Sequence, residues 1–204
     1  MPDLTLLHTA AVHVETFRAL ALSLAPGAVL DQQVRAGWLE RAQGGVDADL
    51  KAEIAAAVAA ADGPVLCTCT TLGPAAEDAG ATRIDWPMMQ EAARFGGPVL
   101  MAYCLESTAE PSEALLRRAF GDRDPEITCL ELGQHWPLFE AGDSAGFAAA
   151  VAADAAEALG TMDFACVVLA QASMAGAAEL LREQTEVPVL ASPEIAMQAL
   201  LRDG

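Results

Sequence analysis

The sequence predicts an α/β protein of two similar lobes, each a parallel sheet covered by helices. Three observations predict it. Short apolar runs alternate with longer Ala-rich amphipathic segments along the chain, which is how buried parallel strands and their covering helices read. Hydrophobic residues make up 53% of the 204 residues and aromatics only 5%, so the core must be built mainly from Ala, Leu and Val. Finally, residues 64–74 (PVLCTCTTLGP) and 166–176 (CVVLAQASMAG) match in kind: each is a buried-strand run that ends in small polar residues and then starts a helix. Two such units about a hundred residues apart imply two lobes, with a ligand crevice expected at the carboxyl ends of their strands.

The elements follow in order. Strands are expected at residues 4–9, 28–35, 64–71, 98–105, 126–132, 164–171 and 188–192. Helices are expected at 12–25, 48–61, 87–95, 111–120, 144–159, 175–185 and 194–202. Asp47 and Asp143 stand where a side chain can accept from free N–H groups at a helix start, and Gly63, Gly97 and Gly160 stand where helices stop. Pro-Val-Leu recurs at 64, 98 and 188, each time opening an apolar run, and proline is tolerated at a strand's first residue. The lobes are expected to be residues 1–97 with 188–204, and residues 98–187.

Charge and cysteine usage exclude several function classes. Eleven basic against 29 acidic residues give a net charge of −18, and Lys51 is the sole lysine, the wrong sign for gripping a phosphate backbone. A small carboxylate ligand would find few cations here, so backbone N–H groups and hydroxyls would have to hold it. Cys67, Cys69, Cys104, Cys129 and Cys166 lie in apolar runs without paired CxxC spacing and read as reduced thiols. The start carries Asp3 and no basic region, no apolar stretch reaches membrane-spanning length, and no Gly-rich phosphate loop follows a strand. A cytoplasmic protein with neither nucleic-acid nor membrane partner is the expectation.

Cys67 and Cys69 are two apart in an expected strand, so their side chains should share a face. A lone CxC with no second pair is a weak metal signal. Cys67, with apolar residues before it, reads as core. Cys69 continues into Thr70, Thr71, Leu72, Gly73 and Pro74 and so stands at the strand's exit. There the free N–H groups of the turn and the positive end of a following helix favour thiolate, which would lower the thiol's pKa. From the residues alone, catalytic and structural roles for Cys69 both stand.

Thr68-Cys69-Thr70-Thr71-Leu72-Gly73 resembles the first-cysteine motif of the aspartate/glutamate/hydantoin racemase superfamily. Four further segments resemble that family in the expected order: His8-Thr9, Arg83-Ile84-Asp85-Trp86-Pro87-Met88, Val168-Leu169-Ala170-Gln171-Ala172-Ser173-Met174 and Val187-Pro188-Val189-Leu190-Ala191-Ser192-Pro193. The resemblance implies two flavodoxin-like lobes with a site in the cleft between them. It also implies cofactor-independent, metal-free chemistry at the carbon next to a carboxylate: racemisation by two cysteines, decarboxylation, or isomerisation. On it, Cys69 is the first cysteine, and Thr70 and Thr71 help bind the substrate carboxylate. Thr9, Tyr103, Ser107, Ala172 and Ser173 are expected to line the pocket.

Gln171 departs from the two-cysteine pattern, for it occupies the place of the second thiol, and an amide is no acid or base near neutral pH. Three chemistries survive. Cys69 could donate and accept a proton on one face, supporting decarboxylation or tautomerisation; it could add to an activated double bond; or His8, Asp85 or Cys104 could replace the missing base. Gln171 is expected to donate a hydrogen bond rather than perform a step. Asp85 has a competing reading as a helix cap before Pro87. His13 and His135 read as structural. A carboxylate-binding or regulatory protein without turnover is the alternative to an enzyme, an inert flavodoxin-like domain the third reading, and a homo-oligomer is compatible with each.

Overall fold

The computed structural model describes residues 1–201 and divides the chain into two units, residues 1–85 with 193–204 and residues 86–192. The first unit begins with β1 (Leu4–His8), α1 (Val12–Leu24), β2 (Leu30–Val34), α2 (Ala36–Ala42), α3 (Ala48–Ala59), β3 (Val65–Cys67), α4 (Gly73–Asp78) and β4 (Thr82–Arg83). The second runs α5 (Trp86–Phe95), β5 (Val99–Tyr103), α6 (Glu106–Phe120), β6 (Ile127–Glu131), α7 (Trp136–Glu140), α8 (Ser144–Leu159), β7 (Cys166–Leu169), α9 (Ala175–Arg182) and β8 (Val189–Ala191). The closing helix α10 (Ser192–Leu201) lies, from Pro193 on, in the first unit.

Both sheets are parallel and share one topology, β2-β1-β3-β4 and β6-β5-β7-β8. The central strands β1, β3, β5 and β7 are buried along their length but for Tyr103, with Thr5 and His8 of β1 among their few polar residues, whereas edge strand β2 keeps Asp31, Gln32 and Gln33 half-buried. In the first unit Leu7, Val65 and Cys67 pack with Trp38, Leu50, Ile54 and Leu72. In the second, Leu100, Ala102, Val167 and Leu169 pack with Phe147, Val151 and Leu181. No helix among the described residues is long and apolar enough to cross a membrane.

Local signals behave as expected at the helix starts: Asp47 accepts from Leu50 N–H at 2.7 Å and Asp143 from Gly146 N–H at 2.9 Å. The repeated prolines lie one residue before their strands. Lacking an N–H they cannot donate, but their carbonyls enter the ladders: Pro64, Pro98 and Pro188 accept from Thr5, Ala165 and Val167 at 2.9, 2.8 and 2.8 Å. Gly97 has φ +67°, and a Cβ there would come within 3.0 Å of the Ala165 Cβ, so glycine is required.

Four expectations need correction. The unit boundaries fall after Asp85 and Ser192 rather than after 97 and 187, because α5 packs in the second unit and β8 pairs with β7 from Val167↔Val189 to Leu169↔Ala191. The first unit thus receives the last helix but not the last strand. Strand β3 ends at Cys67 and β7 at Leu169, short of the expected 71 and 171, since the chain turns there into the next helix. Helix α6 starts at Glu106, not 111, and carries Pro111 inside it, placing Ser107 in its first turn rather than in a loop. The two-residue β4 and the short α2 and α7 have too few residues to show a period and were not foreseen. Arg202, at the end of the last expected helix, lies outside the described residues.

Candidate functional site

Cys69 sits two residues beyond β3, in the turn that leads into α4, and not in the strand beside Cys67. The turn is shaped by backbone bonds, Thr68 N–H to the Leu7 carbonyl at 3.0 Å, Gly73 N–H to Thr70 at 3.0 Å and Ala76 N–H to Leu72 at 3.0 Å. It wraps the sulfur in donors: the N–H groups of Leu72 and Thr71 and the Thr9 hydroxyl each hydrogen-bond to it. These are the thiolate-favouring contacts that the strand exit implies, yet burial dominates. With only 8% of Cys69 exposed, desolvation pushes its thiol above the ordinary value in spite of the three donors. The expectation of a lowered pKa is therefore corrected, and the sulfur rests as neutral thiol near neutral pH.

Cys67 behaves as core: fully enclosed, its thiol donates to the Cys69 carbonyl at 3.6 Å and is pushed up to about 12 by burial. Thr70 and Thr71 are buried in the same turn. His8, at the end of β1, is wholly buried, with Nδ1 2.8 Å from Thr68 Oγ1 and Nε2 3.0 Å from Gln32 Oε1. Thr68 Oγ1 in turn donates to the Leu7 carbonyl at 3.0 Å. With both ring nitrogens engaged and burial holding the imidazole below its ordinary value, His8 supports the Cys69 turn from behind. His13, on α1, is buried against His8 and Phe17 and held down to about 4, chiefly by burial.

Asp85 lies just before α5 and is held by an ion pair. Its carboxylate is gripped by Arg83, Nε to Oδ1 at 3.0 Å and Nη2 to Oδ2 at 2.8 Å, with both side chains buried. Burial pushes the carboxyl up and the guanidinium pulls it back. Arg83 was legible only as part of a motif, although residues two apart at a strand end share a side and two opposite charges there are a pairing signal.

In the second unit, Gln171 is two residues beyond β7 as Cys69 is two beyond β3. Its Oε1 accepts from Cys104 N–H at 2.6 Å and Leu105 N–H at 2.9 Å, which fixes the amide at the exit of β5. That leaves the amide's NH₂ end as its donor. Cys104 itself is buried and its thiol pushed up to about 12, so it offers no base. Ala172 is buried in a short 3₁₀ turn, where the Ser173 hydroxyl is enclosed without a hydrogen-bond partner. Ser192, at the start of α10, is fully buried and likewise unpartnered, a residue that nothing in the sequence marked beyond its motif.

Tyr103 closes β5, one residue before Cys104. It is paired in register with Glu131 on β6, and burial together with Glu131, Cys129, Glu106 and Glu113 raises its phenol above the ordinary value. Surroundings of that sign oppose an anionic ligand. Thus Thr9, Cys69 and Thr71 come together in one unit, and Gln171 meets Cys104 and Leu105 in the other. His135, read as structural, pairs with Asp154 at 2.7 Å.

No protein-family model and no curated protein matches the chain. Solved structures do. An allantoin racemase from Pseudomonas fluorescens matches with a TM-score of 0.66 at 17% identity, over 98% of this chain and 88% of that one. A glutamate racemase from Francisella tularensis, in complex with D-glutamate, matches with 0.70 at 10% identity, over 98% and 79%. An arylmalonate decarboxylase matches with 0.60 at 15% identity, over 98% and 91%. The two-lobe α/β fold expected from the aspartate/glutamate/hydantoin racemase resemblance is the fold observed.

Proposed function

We propose that the chain is a cofactor-independent enzyme of the racemase-superfamily type, in which Cys69 protonates, on one face, the carbon next to the carboxylate of a small acid. The carrying observation is the asymmetry between equivalent positions: a sulfur cradled by three neutral donors in one unit, and in the other an amide whose oxygen is already bonded to two N–H groups. A stereoinverting enzyme needs a proton carrier on each face. Only one of these two positions can carry a proton.

The chemistry that fits is decarboxylation or tautomerisation. In a malonate-type substrate the bond to one carboxylate breaks, CO₂ leaves, and the electron pair passes into the remaining carboxylate as an enediolate. The α-carbon then takes the proton of the Cys69 thiol. The thiolate formed is held by the Thr9 hydroxyl and the Thr71 and Leu72 N–H groups until water returns a proton. A thiol that rests protonated suits donation as the productive step. That one solved neighbour is named for arylmalonate decarboxylation and another holds D-glutamate supports a small carboxylate partner. Five unpaired cysteines suit a reducing compartment such as the cytoplasm.

The test is proton NMR in heavy water with malonates, other dicarboxylates, amino acids and hydantoins. The expected result is a product bearing one deuterium, of one configuration, absent with Cys69→Ala. Unchanged turnover by that variant rules the thiol out. Gln171 favours one other reading, a binding protein without turnover, and its signature is a carboxylate that raises the Tm and is never consumed.

A further inference from the structure

Arg83 and Asp85 have no part in the chemistry above, yet they lie directly beneath it. Arg83 is the register partner of Cys67 on the neighbouring strand, and Ile84 N–H closes on the Cys67 carbonyl at 3.1 Å. The guanidinium reaches up under the turn. A Cβ placed on Gly73 would lie 2.8 Å from Arg83 Nε and 3.2 Å from Cζ, so it lies flat against the backbone that follows Leu72, one of the sulfur's donors. Glycine at 73 makes this approach geometrically admissible. Below, the same guanidinium grips Asp85 at 3.0 and 2.8 Å. Asp85 in turn lies close enough to Cys69 and Cys67 for its charge to be felt at both sulfurs, and Arg83 offsets it at Cys67. The charged and titratable groups around the turn are therefore Cys67, Arg83, Asp85, His8, whose Nδ1 meets Thr68 Oγ1, and, facing Asp85, Glu77.

We infer that the Arg83–Asp85 pair is a positioning element for Cys69: the guanidinium holds the turn whose N–H groups cradle the sulfur and cancels the carboxylate charge beneath it. Its catalytic consequence rests on the function proposed above, but its effect on the sulfur does not. Removing Asp85 alone leaves a positive charge that favours thiolate; removing Arg83 alone leaves a buried carboxyl that ionises only as pH rises and there disfavours thiolate. Removing both returns the charge to neutral and leaves no unpaired buried ion. A pair that only held the fold would loosen the turn alike on losing either partner and move the sulfur in one direction.

The experiment is the pH profile of iodoacetamide alkylation, read per cysteine by peptide mass spectrometry so that exposed Cys129 is counted separately. Asp85→Asn is expected to speed Cys69 alkylation at fixed pH by about threefold or more, corresponding to a half-unit lower midpoint. Arg83→Met is expected to slow it by a similar factor at the alkaline end of the profile, where Asp85 is ionised, with Arg83→Lys between the two. Gly73→Ala, which displaces the guanidinium without altering charge, is expected to slow it as well. Where Arg83→Met does not fold, Arg83→Met with Asp85→Asn supplies the neutral comparison for Asp85→Asn alone. Equal rates in Asp85→Asn and the double variant, or no change with Gly73→Ala, would overturn the inference. Because no substrate is used, shifted alkylation without any turnover discards the enzyme reading alone, and turnover through Cys69 with unshifted alkylation discards the positioning role alone.

Discussion

The two units carry the same strand order and place different chemistry at the same point of it. Two residues past the third strand of each sheet stands a side chain that accepts hydrogen bonds, Cys69 in the first and Gln171 in the second. In each case the residue just past the first strand helps to hold it, the Thr9 hydroxyl in one unit and the Cys104 N–H in the other. The scaffold is shared, and what differs is whether the held atom can exchange a proton. A sulfur can do so and an amide oxygen cannot, so on the proposed function the chemistry falls to the first unit and fixed hydrogen bonding to the second. A second contrast follows the first: among the described residues the first unit buries the histidines His8 and His13 and the Arg83–Asp85 pair, whereas the second buries no histidine, arginine or carboxylate.

The comparison breaks most decisively at Cys69. With a substrate identified by the NMR screen, Cys69→Ala is expected to lower kcat by about 100-fold to 10,000-fold, the range of a positioned proton donor. A loss below about tenfold would leave the two exits chemically equivalent and remove the distinction.

The buried histidines sharpen the second contrast. The His13 value in the fold, about 4, lies below the ordinary 6.5, so the unfolded chain binds the proton first as pH falls. Stability from His13 is complete above pH 6.5 and drains away toward pH 4. A shift of this size is worth on the order of 3 kcal/mol, with His8 acting in the same direction. Urea midpoints measured across that window should fall less steeply in His13→Phe than in the parent, since the carboxylates titrate alike in both. Identical slopes would show that the first unit's buried ring carries no acid sensitivity.

Gln171→Leu should cost about 1 to 3 kcal/mol of stability, because the Cys104 and Leu105 N–H groups lose their acceptor. Denaturant unfolding measures it, and a neutral outcome would mean that those donors find another partner. The smallest effect belongs to Thr9→Val, which keeps the shape and removes one of the sulfur's three donors. Roughly 1 kcal/mol less support for the thiolate should slow Cys69 alkylation by about fivefold. No change would show that the two backbone donors suffice.

Much of the fold was legible because it is written in local patterns. Seven of the eight strands and the order of the units follow from apolar runs, and the caps at Asp47 and Asp143 from the geometry of a helix start. The eighth strand, β4, is two residues long and shows no period. Cys69 could be singled out because a thiol before small polar residues and Gly-Pro stands at a strand exit. Its protonation state could not, because local donors and burial push in opposite directions, and only the packed structure weighs one against the other.

By itself, then, the sequence determined the α/β class, the doubled architecture, and the presence of a thiol in one unit at the position where the other carries an amide. Tertiary structure alone decided the membership of β8 and α10, the pairing of Arg83 with Asp85 beneath Gly73, and the capture of the Gln171 oxygen by residues 66 and 67 positions away. The reason is physical. Periodicity and capping act within a few residues and survive in a one-dimensional string. Burial, charge compensation and the choice of strand neighbour depend on segments that meet only when the chain folds.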